Sequence, residues 1–174
     1  ALCKDPDINL DKKVYHSEMS HISRNRAIAY LLESKGYIEK NKDVENSLHF
    51  YVKMCSLSVT AESLAGLGLI LANDGIHPDT GKRLLSSQAV KIVKTLMFTC
   101  GMYDGSGEFA VRVGIPSKSG VGGGILSVVD GEMGIGIFGP ALDKKGNSVA
   151  GECVLEYMSH ELHLHMFDPQ RHTL

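Results

Sequence analysis

Apolar positions recur at helical spacing in several stretches of the chain, and a capping residue or a breaker closes each stretch. Residues 11–20 and 25–35 read as two helices, the second stopped by Gly36, the residue type best suited to the left-handed conformation past a helix end. Asp43 suits the cap of a helix whose Val44, Leu48, Tyr51, Val52 and Cys55 share one face. Thr60 suits the N-cap of "AESLAGLGLILAN", which Asp74-Gly75 ends. After the turn-rich "HPDTGKRLLS", an amphipathic helix runs from Ser86 or Ser87 to about Cys100. "GMYDGSGEFAVRVG" is then dotted with glycines. Two β-like runs, residues 123–129 and 133–138, flank "DGE", and Asp130-Gly131 between apolar runs predicts a hairpin. Residue 147 to about residue 163 reads as a final helix.

This pattern predicts an α+β fold, mostly helical, with a C-terminal antiparallel hairpin and a final helix. An isolated two-stranded hairpin is marginal in water, and its edges invite further pairing. It must therefore pack on helices alone or find sheet partners outside this chain. At 174 residues, with no Pro/Gly/Ser linker dividing them, one unit with a real core is expected. The 18 basic and 20 acidic residues leave a formal charge of -2 with no block of one sign, so nucleic acid is not an expected partner. Cys3, Cys55, Cys100 and Cys153 lie far apart with no C-x-x-C pair, which suits reduced thiols in a cytoplasmic compartment. No apolar run approaches the roughly 18 residues of a membrane span, and "ALCKDPDINL" lacks a signal-peptide layout, so no membrane association is expected.

Several residues carry candidate chemistry. Lys118-Ser119-Gly120 at a predicted strand start is similar to the K-T-G element of serine β-lactamases and penicillin-binding proteins. There a strand edge offers N–H groups to a developing oxyanion, lysine supplies positive charge, and glycine lets substrate lie on the backbone. Three residues alone also suit an ordinary loop-to-strand junction. Glu18 and Asn25 stand seven apart, two turns on a continuous helix, where a carboxylate and an amide suit an amino-acid head group; solvated helix positions or an interhelical cap suit them equally. Tyr51 and Tyr103 read either as packed aromatics with satisfied hydroxyls or as phenols placed to relay protons beside a nucleophile. His160, His163 and His165 in "SHELHLH" lack the H-E-x-x-H spacing, and no metal site is assigned to them.

Taken in order, "VYHSEMSHISRNRAIAYLLESKG", "FYVKMCSLSVTAESLAGLGLILANDGIHPDTGKRLLS", "CGMYDGSGEFAVRVGIPSKSGVGGGILSVV" and "MGIGIFGPALDKKGNSVAG" resemble the serine-dependent glutaminases, whose fold is shared with serine β-lactamases. The resemblance implies hydrolysis of L-glutamine to L-glutamate and ammonia through an acyl-serine intermediate, without a cofactor, in a homo-oligomer of two or four chains. Position by position it makes Glu18 the reader of the α-ammonium, with Asn25 and Tyr51 holding the head group. Tyr51 and Tyr103 match the two active-site tyrosines of the family, both catalytic and substrate-binding, with Tyr103 near the nucleophile as a proton-transfer candidate, and Val121 becomes the residue whose N–H completes the oxyanion hole. "HISRN", "YDGSGE" and "GVGGG" depart from the family forms "TGDRN" or "SGDRN", "YDFSGE" and "GVSGG", yet spare these five positions. Altered stability is expected from them sooner than altered chemistry.

No serine here is followed three residues later by lysine, so the S-x-x-K nucleophile motif is absent from these residues. The resemblance therefore implies the carboxyl-side portion of a glutaminase catalytic domain, inactive by itself. Two other readings stay open: an amino-acid-binding or assembly module without catalysis, and a β-lactam-binding relative supported by K-S-G alone.

Overall fold

In the computed structural model, which describes Cys3, residues 5–39 and residues 43–171, the Asp11 carboxylate accepts the N–H groups of Lys13 and Val14 and so starts α1 (Lys12–Ser20). A break at His21 and Ile22 leads into α2 (Ser23–Ser34), which ends before Gly36 at φ 77°. Asp43 caps α3 (Val44–Cys55) by accepting Asn46 N–H at 3.0 Å. Val44, Leu48 and Val52 of α3 form a small core with Ile22, against which Tyr15, Met19, Ala29 and Ile38 pack. Arg26 of α2 grips Glu45 of α3 with two parallel bonds of 2.8 and 2.9 Å. A short antiparallel ribbon pairs β1 (Asn9–Leu10) with β2 (Leu57–Ser58). These elements make one compact unit, Asp7–Val59.

The other unit, Ala1–Pro6 with Thr60–Leu174, is built around a sheet. Its helices are α4 (Ala61–Ala72), α5 (Ser87–Cys100), α6 (Ser106–Arg112) and α7 (Val149–Glu161). Thr60 and Ser63 close a reciprocal capping box on α4, and Ser86 and Ser148 cap α5 and α7. Three antiparallel strands lie in the order β3 (Ser117–Ser119), β4 (Gly124–Val129), β5 (Met133–Phe138). Alternation splits β4 between two cores, as a strand covered on both faces requires. Ile125 and Val129 join Ile135 of β5, Phe109, Val113 and Leu155 on one face, while Leu126 and Val128 join Leu71, Ala72, Val90 and Met97 on the other.

The alternating glycines of "MGIGIF" have a steric cause. A Cβ at Gly134 would stand 2.1 Å from Leu69 N, and one at Gly136 would stand 1.9 Å from Ala61 O. The backbone of α4 lies directly on β5, and only glycine allows that approach.

The predicted α+β class and the helix boundaries hold closely, and three details are corrected. The hairpin has a third strand within this chain, because Ser117, Lys118 and Ser119 pair with Ser127, Leu126 and Ile125. Ser117 and Ser127 also share a buried hydroxyl pair at 2.7 Å. Strand β4 starts at Gly124, one residue later than expected: residues 120–123 form the turn joining β3 to β4, with Gly123 N–H donating to Gly120 O at 2.9 Å. "GMYDGSGEFAVRVG" contains α6, whose helical signal its flanking glycines obscure. Among the described residues, no helix is long and apolar enough to cross a membrane.

Candidate active site

The five candidate positions divide between the two units. In Asp7–Val59, Glu18 is an exposed residue near the end of α1, and its carbonyl accepts the capping His21 N–H at 3.1 Å. Asn25 is partly buried in the first turn of α2. The two are therefore not two turns apart on one helix: α1 stops at His21, whose backbone is not helical, and α2 starts after Ile22, which is 4% exposed and packs in the core. Tyr51 is on α3, the helix against which both α1 and α2 pack. It is 53% exposed, which corrects its placement on the apolar face. The buried stripe follows the four-residue spacing of Val44, Leu48 and Val52, and Tyr51 is turned about 100° from Val52.

In the other unit, Tyr103 has φ 52°, a left-handed conformation that costs a bulky residue roughly 1–3 kcal/mol. It opens a 3-10 turn, Tyr103–Gly105, that leads into α6. Ser106 Oγ accepts Met102 N–H at 3.0 Å and donates to Tyr103 O at 2.8 Å. Val121 is a central residue of the 120–123 turn, whose two closing bonds use the N–H groups of Gly120 and Gly123 and not its own. The Lys118 ammonium stands 4.8 Å from the centre of the Tyr103 ring and also donates to the Ser119 carbonyl. Ser119 N–H donates to Gly101 O at 3.0 Å, tying β3 to the segment that carries Tyr103.

Tyr103 and Val121 meet at a third place, a loop over residues 143–147. A Cβ at Gly146, where φ is 99°, would stand 3.5 Å from both Tyr103 Cε2 and Val121 Cγ1. Asp143 shapes this loop by accepting the N–H groups of Lys145 and Asn147 at 2.9 and 2.8 Å. The Asn147 N–H bond, followed by those of Lys145 and Gly146, lowers the Asp143 carboxyl below its usual range, and desolvation opposes them. Lys145 pairs with Glu108 of α6 at 2.8 Å, which lowers Glu108 and raises Lys145. Asn147, 0% exposed, donates to Met102 O at 3.2 Å. Ser106, Asp143, Gly146 and Asn147 escaped the sequence reading as site residues. The Asp-x-Lys-Gly-Asn spacing of a side-chain-centred turn is the signal in the sequence that marks the loop, and it was not read as one.

The terminal histidines have partners of their own. His163 pairs with Asp168 at 3.1 Å and His160 with Glu161 at 2.9 Å. His165 bonds Ala110 O through Nε2 at 3.2 Å and accepts Phe167 N–H through Nδ1 at 3.1 Å. Among the described residues, no three His, Cys, Asp or Glu side chains are grouped to hold a metal ion. The four cysteines are unpaired.

Comparison with known proteins identifies the family. The family model described as Glutaminase matches residues 1–167. A glutaminase of Clostridium tetani is 55% identical over 161 residues, covering 92% of this chain and 52% of the relative. One from Clostridioides difficile is 54% identical, covering 95% and 53%. The chain thus spans about half the length of the curated relatives it matches. Among solved structures, the covalent complex of the Bacillus subtilis glutaminase YbgJ with 5-oxo-L-norleucine, formed by reaction with 6-diazo-5-oxo-L-norleucine, superposes with a TM-score of 0.89 at 41% identity, covering 95% of this chain and 58% of that one. The native form of Mglu superposes with a TM-score of 0.89 at 39% identity, covering 97% and 40%. With residues 1–167 of this chain matched by the family model and the fold shared with solved glutaminases, this chain belongs to the glutaminase family.

Proposed function

We propose that the chain is the carboxyl-side portion of a glutaminase catalytic domain and supplies the binding and oxyanion side of its site. The observation that carries this reading is the approach of Tyr103 and Val121 to one place, each 3.5 Å from where a Cβ on Gly146 would stand, in a chain of the glutaminase family. The substrate is L-glutamine, whose α-ammonium Glu18 pairs with while Asn25 and Tyr51 hold the head group. A serine oxygen attacks the side-chain amide carbon, and the oxygen of that amide takes up charge facing the Val121 N–H. The C–N bond then breaks, ammonia leaves with a proton delivered beside Tyr103, and water hydrolyses the acyl ester to L-glutamate. The covalent norleucine complex of the Bacillus subtilis relative supports a nucleophilic route.

None of the serines in this chain stands in an S-x-x-K motif, so the nucleophile is supplied by the portion of the relatives that the chain does not match. Purified chain is expected to release ammonia several orders of magnitude more slowly than the same chain joined, in cis or in trans, to that remaining portion. Only the joined protein should react with 6-diazo-5-oxo-L-norleucine. Robust ammonia release by the chain alone, or no turnover after joining, overturns the reading. A cytoplasmic homo-oligomer, dimer or tetramer, is the form proposed for the joined protein, and sedimentation tests it.

A further inference from the structure

A bulky side chain at positive φ persists only where its surroundings over-determine it, and at Tyr103 two buried side chains do so. Ser106, 6% exposed, accepts the N–H of Met102 and donates to the carbonyl of Tyr103. Asn147 donates to the carbonyl of Met102 between them. Three successive peptide groups around Tyr103 are thus held by two side chains from separate segments. Asn147 also ends the 143–147 loop whose Gly146 borders both the Tyr103 ring and the Val121 side chain. One residue therefore sets the Tyr103 backbone and the wall beside its ring.

The burial of Asn147 is costly in its own right. Its side chain lies in a fully buried position, and among the described residues its Oδ1 has no hydrogen-bond partner. A half-satisfied buried amide lowers stability relative to an apolar filler. The bond that it does make goes to the peptide entering Tyr103.

We infer, taking Tyr103 as a site residue as proposed above, that Ser106 and Asn147 are positioning residues for glutamine hydrolysis: their bonds to Met102 and Tyr103 lock the left-handed turn that keeps the Tyr103 ring against Gly146 beside Val121. They act through Tyr103, since their hydrogen bonds go to the backbone of residues 102 and 103. Loss of either hold shifts the phenol without removing any group assigned to substrate binding, so turnover suffers and affinity does not.

The test is a double-mutant cycle in the joined protein. Ser106→Ala is expected to lower kcat about 100-fold, the cost of a misplacement of about 1 Å, with KM nearly unchanged. Ser106→Thr, which keeps the hydroxyl, should recover most of that loss. In a Tyr103→Phe background the further loss from Ser106→Ala should shrink to about twofold, because the group being positioned is already gone. Asn147→Ser is carried through the same cycle, so that a variant failing to fold leaves the other to decide. If Tyr103→Phe is slow and the losses still multiply in full, the positioning role is overturned while the glutaminase reading stands. If Tyr103→Phe turns over like the parent, the role assigned to Tyr103 falls, and this inference with it.

Discussion

In the unit Asp7–Val59, α1 and α2 contain no buried residue, and the core consists of Ile22, Val44, Leu48 and Val52. In the unit that contains the sheet, β4 is buried almost throughout and two separate cores flank it. The candidate groups differ in the same way. Glu18, Asn25 and Tyr51, proposed to hold the substrate head group, stand on helices. Val121 offers a backbone N–H from a turn of glycines, and Tyr103 depends on a strained peptide clasped by Ser106 and Asn147. Charge recognition tolerates a lightly packed support, whereas an oxyanion donor and a strained phenol need a backbone that cannot drift.

The largest expected effect tests that difference in packing directly. Gly136→Ala would drive a Cβ to 1.9 Å from Ala61 O and 2.7 Å from Ala65 N, both backbone atoms that cannot step aside. It should cost at least about 3 kcal/mol. Gly36→Ala in the helical unit meets nothing within 4 Å and bears only the penalty of φ 77°, about 1 kcal/mol. Denaturant melts of the two variants measure the contrast, and equal losses would remove it.

Glu18→Gln comes next. Losing a charge-assisted bond to the substrate ammonium should raise KM of the joined enzyme about tenfold or more. The same exposed helix position should leave its melting nearly unchanged. A large fall in stability without a change in KM would assign Glu18 to structure instead.

The smallest effect is in the pH dependence of the 143–147 loop. Because its folded carboxyl is depressed, Asp143 contributes stability that is fully present above the ordinary aspartate range near 3.8 and is lost as pH falls through the lower folded value. Acid should therefore loosen the contact of Gly146 with Tyr103, and Asp143→Asn should flatten that part of the acid melting curve. An unchanged acid limb would show that the N–H groups of Lys145 and Asn147 hold the loop whatever the charge on Asp143.

Most helices were legible because their signals are local. Asp11, Asp43, Thr60 and Ser86 bond to N–H groups within three residues, and apolar spacing needs no distant partner to be read. The five candidate positions were assigned through family resemblance, while residue chemistry alone left each with an ordinary structural alternative. What escaped depends on residues far apart in the chain. Strand β3 is defined by pairing across a turn, and Lys118 meets the Tyr103 ring from fifteen positions away. The bond from Asn147 to Met102 spans 45 residues.

By itself, then, the sequence determined the caps, most of the helix bounds, the β4–β5 hairpin and membership in the glutaminase family, all carried by short-range chemistry or by long runs of matching residues. Tertiary structure alone decided that Tyr51 turns outward, that the helix is interrupted at His21 and Ile22 between Glu18 and Asn25, and that Ser106 and Asn147 clasp the backbone of Met102 and Tyr103. The physical reason is that burial and side-chain-to-backbone bonds between distant segments exist only once those segments are packed together, and no periodicity along the chain encodes them.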